Sequence, residues 1–386
     1  MRKNILFVLP TYEIGGTVVS TKNLLLLLDP DRYNITVLSM TGVGHMKASY
    51  DDYQQISSSF ILSSLTHASW KNNSGYFKKI IGVVLRKLAS SRVIRKLLLA
   101  SQADKLVGPE YDIVVACQEG ICTEFVSYIK SKKKVAWVRC DYARYVMNLK
   151  VSIEAKIYSK FNSIICVSDL VCERFKTIHP QFKLRTIAVQ NPQSEAYILQ
   201  QANIDDEDQR FQKKGYTIVS IGRFDPIKRF TLIPSVASFL CSKNIEFRWY
   251  IIGDGSKEEK EKIIENIISE KVETNVICLG VKTNPHFYIK HSDLLVCLSS
   301  SEACPRVINE AKILHVPVVC ANFDTAAEYI DHMETGLIST IDEIKFSILE
   351  ILNNKDLTQR IKENISQFRF ENDYILSKIN QVFSCS

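Results

Sequence analysis

Residues 299–310 read Ser299-Ser300-Ser301-Glu302-Ala303-Cys304-Pro305-Arg306-Val307-Ile308-Asn309-Glu310. A short apolar run, Leu294–Leu298, precedes them, and a helical pattern opens at Pro305. Proline is favoured at a first helical position, so the segment reads as strand, turn, helix. Glu302 falls in the turn at the carboxyl end of the strand. Glu310 falls in the helix, just behind its positive end. The first backbone N–H groups of a helix have no partner within it, so Arg306 and Val307 can offer theirs to an anion. Donors for a diphosphate, with a carboxylate on each side for sugar hydroxyls, suit a nucleotide sugar. Acidic residues in a first turn also simply suit the helix dipole, and the pair alone supports either reading.

Outward from this segment, short apolar strands alternate with longer helical patterns, which argues α/β with parallel sheets. In the first half the strands are expected at Ile5–Leu9, Ile35–Ser39, Ile113–Cys117, Val135–Val138, Ile164–Val167 and Thr186–Val189, with helices at Val18–Leu28, Thr123–Lys130, Ile153–Phe161 and Leu170–Thr177. In the second half they are expected at Thr217–Ile221, Arg248–Ile252, Val276–Leu279, Leu294–Leu298 and Val316–Cys320. Helices there run near Phe230–Leu240, Glu258–Ser269, Pro305–Leu314 and Ile344–Asn353. Residues 196–214 are polar and acidic without a strong period and read as a linker. The expectation is two Rossmann-like halves joined near residue 205.

Ligands of open α/β sheets sit beyond the carboxyl ends of the strands. The first strand leads into Pro10-Thr11-Tyr12-Glu13-Ile14-Gly15-Gly16-Thr17, where two glycines permit close approach of backbone to a ligand before a helix start. A plain turn explains the same residues. The first strand of the second half leads into Gly222-Arg223-Phe224-Asp225-Pro226-Ile227-Lys228, whose two bases can reach one anion, unless they are ordinary surface charges. Gly253-Asp254-Gly255 and Gly280 follow the next two strands. The order of these loops, each with a glycine, a base or an acid, favours one nucleotide diphosphate.

The chain has 386 residues, 46% of them hydrophobic, a length that favours two domains. Eleven cysteines form no Cys-x-x-Cys pair. Cys166, Cys278, Cys297 and Cys320 lie in apolar runs and behave as small hydrophobes, which points to a reducing cytoplasm and away from a zinc site. No span is long and apolar enough to cross a bilayer. The opening Met1–Pro10 reads as a buried strand, not a signal peptide. Charge is uneven. Residues 1–200 carry 27 Lys and Arg against 15 Asp and Glu, and residues 201–386 carry 22 against 27. No acid occurs between Asp52 and Asp104. That stretch holds Lys71, Lys78, Lys79, Arg86, Lys87, Arg92, Arg95 and Lys96 among apolar residues, and Lys130, Lys132, Lys133 and Lys134 form a second cluster. This mixture suits an anionic membrane surface. A solvated helix face is the bland alternative, and nucleic acid a weaker one.

Together these motifs resemble retaining glycosyltransferases of the GT-B architecture, in the large family four that includes bacterial transferases for capsule, O-antigen (lipopolysaccharide) and lipid-linked glycans. The resemblance rests on Gly15-Gly16, Gly222-Arg223 with Lys228, Ile252-Gly253-Asp254-Gly255, and Ser301-Glu302 through Glu310-Ala311. It continues in His315-Val316-Pro317-Val318-Val319, where the family usually has a glycine before the proline segment, and in Glu328 and Gly336-Leu337. It implies an N-terminal acceptor-side domain over 1–200 and a nucleotide-sugar domain over 201–370, facing a central cleft. Residues 371–386 would form a helix returning to the first domain. It further implies that Arg223 and Lys228 grip the diphosphate, with amides near Arg306 and Val307 capping the phosphates. Glu310 would bind the ribose, Glu302 would face the donor sugar, and Gly15 and Gly16 would close over the nucleotide. Gly222 and Gly253 belong to the donor loops. No metal or other cofactor is expected beyond the donor itself.

One position departs from the pattern. Val135-Ala136-Trp137-Val138-Arg139 ends in arginine where many relatives carry a histidine beside the donor sugar. Arg139 cannot act as a neutral base. It could hold a phosphate or an acidic acceptor, or mark reduced activity. The seven histidines show no paired spacing and read as structural. The expected activity is transfer of a hexose from a nucleotide diphosphate sugar to a lipid-linked or growing surface polysaccharide. The enzyme would lie in the cytoplasm at the inner face of the membrane, with no nucleic-acid partner. The alternatives are a catalytically silent binding partner of another transferase, or a nucleotide-sugar epimerase.

Overall fold

A computed structural model describes residues 2–66, 76–108, 111–147, 149–206 and 208–384. His67 and Lys71 lie outside the described residues. The chain divides into two units, Met1–Gln193 with Asn372–Ser386, and Ser194–Glu371. The break falls earlier than residue 200.

The first unit holds a seven-stranded sheet. Its strands are β1 (Lys3–Leu9), β2 (Tyr33–Ser39), β3 (Gln54–Ile56), β4 (Ile113–Ala116), β5 (Lys133–Val138), β6 (Ser163–Cys166) and β7 (Thr186–Ala188). The order is β3-β2-β1-β4-β5-β6-β7, with every pairing parallel. Ile5 to Leu9 are wholly buried, because helices cover both faces of a parallel sheet, and that is why the strand reads as an unbroken apolar run. The helix Asn372–Ser384 belongs to this unit. Lys3 Nζ donates to the Phe383 carbonyl at 3.0 Å, Tyr33 Oη donates to Asn380 Oδ1 at 2.7 Å, and the Phe383 ring meets Phe7 edge-on.

The second unit holds six parallel strands: β8 (Tyr216–Ile221), β9 (Phe247–Ile252), β10 (Val276–Gly280), β11 (Leu294–Cys297), β12 (Val318–Ala321) and β13 (Leu337–Ser339). Their order is β10-β9-β8-β11-β12-β13. Trp249 is fully buried among Ile218, Ile251 and Val296, and its indole donates to Ser220 Oγ at 3.0 Å. Burying one aliphatic side chain of this core contributes roughly 1.5–3 kcal/mol. In each unit the order reverses beside the first strand, at β1/β4 and at β8/β11. Those reversals are where ligands of such sheets bind.

Several expectations shift. The supposed linker contains the helix Glu195–Ala202, capped by Ser194 Oγ, which accepts from the Tyr197 N–H. It packs on the helix Pro285–Lys290. The edge strands β3 and β13 were not expected. β12 begins at Val318, not Val316, because the Val316 N–H closes the preceding helix on the Ala311 carbonyl. Pro305 is the N-cap and not the first helical residue. The single helix expected from Phe230 is a 3-10 turn, Phe230–Leu232, followed by the helix Ile233–Ser242 with proline in its first turn.

Candidate active site

The loop after β8 begins with Gly222. A Cβ there would stand 3.2 Å from Lys228 Cε, so the missing side chain leaves room for the lysine stem. Asp225 shapes the loop. Its Oδ1 accepts from the N–H groups of Ile227 at 3.0 Å and Lys228 at 3.2 Å, a local turn typical of aspartate. Lys228 then reaches the neighbouring loop after β11, where Nζ pairs with Glu302 Oε1. Ser299 Oγ donates to the same oxygen at 2.7 Å. The loops are tied again by the Ser300 N–H, which donates to the Ile227 carbonyl at 2.8 Å. Burial pushes the Lys228 ammonium pKa down, but Glu302 outweighs it and the pKa is raised.

Arg223 behaves differently. Its side chain is 76% exposed and is held by Asp225 Oδ2, which accepts from Nε at 2.8 Å. Each of the two bases expected to share an anion therefore has its own carboxylate. Gly253 is demanded by the fold: its φ is +144°, and a Cβ would lie 1.8 Å from the Gly222 carbonyl oxygen.

The helix Arg306–Ile313 follows the Glu302 turn, and no side chain caps its start. Glu310 is 1% exposed. Arg306, one turn earlier, pairs with its Oε1, and His286 Nε2 lies 3.8 Å from that oxygen. Burial pushes the Glu310 carboxyl up, yet the Arg306 guanidinium and the His286 ring outweigh it and hold it at about 2. Glu310 is thus a charged acceptor at any ordinary pH. His286 is buried with neither ring nitrogen hydrogen-bonded, and Tyr197 meets its ring edge-on.

In the first unit, Gly15 caps the helix Gly16–Leu27. A Cβ on Gly16 would meet nothing within 4 Å, and one on Gly15 only the Glu13 carbonyl oxygen at 3.9 Å. Packing therefore does not require these glycines; glycine suits a helix N-cap, and the open space would also admit close approach of a ligand. Arg139 follows β5. Its Nε donates to the Cys117 carbonyl at 2.7 Å and its Nη1 to Ser20 Oγ at 2.6 Å and to Asn191. Its N–H donates to Glu119 Oε2 at 2.8 Å, and its guanidinium lies 4.5 Å from the Trp137 ring centre. The side chain joins the end of β4, the first helix and the segment after β7.

Sequence reasoning gave no role to Asp225, Ser299 or His286, and left the Arg306–Glu310 pairing unread. The Arg306–Glu310 spacing of one helical turn is a legible ion-pair signal, and aspartate before proline marks a turn. Nothing local points to His286. Among the described residues no cluster of three or more His, Cys, Asp or Glu side chains is placed to hold a metal, and no helix is long and apolar enough to cross a membrane.

Comparison with known proteins bears on the fold and the family. The chain aligns along 99% of its length, and 99% of theirs, with crystal structures of Anabaena Alr3699/HepE in complex with UDP and glucose and with UDP-glucose, at a TM-score of 0.73 and 17% identity. The fold is GT-B. Residues 201–368 match the family described as Glycosyl transferases group 1, so the group 1 region spans β8 to β13 and both ion pairs. Two uncharacterized glycosyltransferases of Methanocaldococcus jannaschii are similar. One is 26% identical over 219 residues, 54% of this chain and 53% of that protein. The other is 22% identical over 365 residues, 92% of this chain and 90% of that protein. With the first of these, the chain spans about half the relative's length. The matched region and both relatives carry a glycosyltransferase description.

Proposed function

We propose that the chain is a retaining, metal-independent hexosyltransferase. It would move a sugar from a nucleotide diphosphate sugar to a lipid-linked or growing surface polysaccharide of the capsule or O-antigen kind, at the inner face of the cell membrane. The observation that carries the donor half is the paired arrangement beyond β8 and β11: Lys228 with Glu302, and Arg306 with Glu310, at the reversal of strand order. Lys228, Arg223 and the uncapped helix start would supply hydrogen-bond donors where a diphosphate leaves, the point at which developing charge needs stabilising. On that ground no metal is assigned. Glu310 accepts from the ribose hydroxyls and Glu302 from the sugar.

In the proposed reaction the bond between the anomeric carbon and the diphosphate oxygen breaks. The acceptor hydroxyl oxygen bonds to that carbon on the same face. Its proton passes to the departing phosphate oxygen, so no protein base is needed. UDP-glucose is a natural first donor to test, because the Anabaena protein of like fold binds it.

The test is thermal stabilisation by a panel of nucleotide sugars, followed by transfer to lipid-linked acceptors with assignment of the product anomer. A ligand at 100 times its dissociation constant adds about 2.7 kcal/mol. Stabilisation with retained configuration in the product supports the reading, and an inverted product overturns it. A second reading is a silent binding partner of another transferase: Arg139 stands where the resembled family carries a histidine, and it is engaged by Glu119, Cys117, Ser20 and Asn191 within the first unit. Nucleotide-sugar binding without turnover on any acceptor would select it. Donor conversion with no acceptor present would select an epimerase.

A further inference from the structure

The helix Tyr76–Ala89 points its apolar stripe outward. Phe77, Ile80, Ile81, Val84 and Leu88 recur at helical spacing and are all exposed, Phe77 at 79%. An amphipathic helix of a soluble domain ordinarily turns such a stripe to the core. Here the buried side is made of small residues, Gly82 and Ala89. They allow close packing on the helices Phe60–Ser64 and Arg92–Leu106. The second of these helices adds Val93, 68% exposed, and Leu97, 64% exposed, one turn apart. Lys78, Lys79, Lys87, Arg92 and Lys96 are exposed on the same pair of helices, and the sequence from 53 to 103 holds no acid.

We propose that this helical pair is a docking face for an anionic lipid surface, into which the Phe77–Leu88 stripe inserts while the flanking lysines and arginine contact headgroups. An amphipathic helix in this orientation binds by its apolar area together with attraction to anionic lipid. Charge complementarity selects this occupant. A second copy of the chain would set these exposed bases against their own kind, since the two helices carry a single acid, Asp104 near the end of the second. A nucleic acid would neutralise the bases but leave the aliphatic row facing phosphates. The inference gives a physical surface to the membrane location above, and it does not depend on the transfer chemistry.

The full chain is floated with phosphatidylcholine vesicles and with vesicles that also contain phosphatidylglycerol. Binding to the anionic vesicles is expected to be about tenfold stronger or more and to weaken as sodium chloride is raised. Two variants follow, Ile80→Ser with Val84→Ser and Leu88→Ser, and Lys78→Glu with Lys79→Glu and Lys87→Glu. These side chains are exposed, so nucleotide-induced thermal stabilisation stays as in the unaltered chain, while each variant loses most of its vesicle binding. Equal binding to both vesicle types, or variants that bind as well as the parent, overturns the proposal. So does a concentration-dependent dimer that the serine variant dissolves, or preference for an RNA duplex over anionic vesicles. Transfer to a soluble acceptor is measured separately, so a failed docking face and a failed enzymatic reading give different results.

Discussion

Lys228 and Glu302, 74 residues apart, form an ion pair between the loops that leave the adjacent strands β8 and β11. A sequence read loop by loop assigns the lysine to phosphate and the glutamate to sugar. The structure places both on one electrostatic unit, whose cation stays charged because its carboxylate partner stands beside it.

Substituting Lys228 by methionine keeps most of the stem and removes the charge. Glu302 is then left mostly buried without its cation, which should cost roughly 1–3 kcal/mol, between the exposed and fully buried cases. Turnover should fall about 10²-fold or more, as when one transition-state donor is removed. Arg223→Ala gives the contrast. Exposed at 76%, that residue should lower turnover similarly while stability changes by less than about 0.5 kcal/mol. Urea unfolding and donor turnover, measured on both variants, separate the two effects. Near-normal turnover in both removes the site.

Glu310 makes a pH-dependent contribution. Its folded pKa, about 2, lies below the ordinary 4.5, so the unfolded chain binds the proton more tightly. Stability from this group is fully present above about pH 4.5 and is lost as pH falls towards 2. The shift corresponds to roughly 3 kcal/mol. Glu310→Gln cannot titrate, so its stability should change less with pH across that window than the parent's. The variant should also bind free nucleoside diphosphate more weakly at pH 7. Unchanged affinity would reduce Glu310 to a partner of Arg306.

What the sequence made legible follows from range. β1, β2, β5 and β8 carry continuous apolar or β-branched runs of strand length, and those runs place them. β3 and β13, three residues each, lie at sheet edges and carry too few side chains to show a period. The helix Glu195–Ala202 was hidden because it buries only Ile198 and Ala202, although Ser194 followed by Glu195 is a readable helix start. The loops carrying glycine, base and acid after the strands were legible because each is contiguous in sequence with the strand that it follows. The Lys228–Glu302 contact and the position of His286 depend on which strands and helices become neighbours, and local sequence does not carry that.

His315 replaces the glycine expected before the proline segment, and the backbone shows why glycine suits the place. Its φ is 58°, in the left-handed region. The His315 N–H donates to the Lys312 carbonyl and the Val316 N–H to the Ala311 carbonyl, the paired closure that ends a helix on a left-handed residue. A side chain in that conformation costs about 1–2 kcal/mol, and the greater freedom of unfolded glycine returns part of it. His315→Gly should therefore stabilise the protein by up to about 1 kcal/mol, a rise of a few degrees in Tm. His315→Ala keeps the Cβ and should not. Equal Tm values for the two variants would remove strain as the explanation.

Arg139 joins three segments of the first unit through Cys117, Ser20 and Asn191, and stacks over Trp137. Its loss leaves acceptors without donors, and a hydrogen bond from a charged group is worth about 1.5–3 kcal/mol. Arg139→Ala should therefore lower stability by at least about 2 kcal/mol. If Arg139 also faces the transferring sugar or an acidic acceptor, as its place after β5 suggests, transfer per folded molecule should fall far more than nucleotide affinity does. We expect both effects. Arg139→Lys separates them, because an ammonium keeps the charge but cannot reproduce the spread of the guanidinium. It should lose stability and keep part of the transfer rate. Arg139→His completes the series: it should be nearly inactive at pH 8, where an imidazole is neutral, and recover as pH falls through about 6.5. A variant series that changes Tm but leaves transfer per folded molecule untouched would make Arg139 a strut and nothing more.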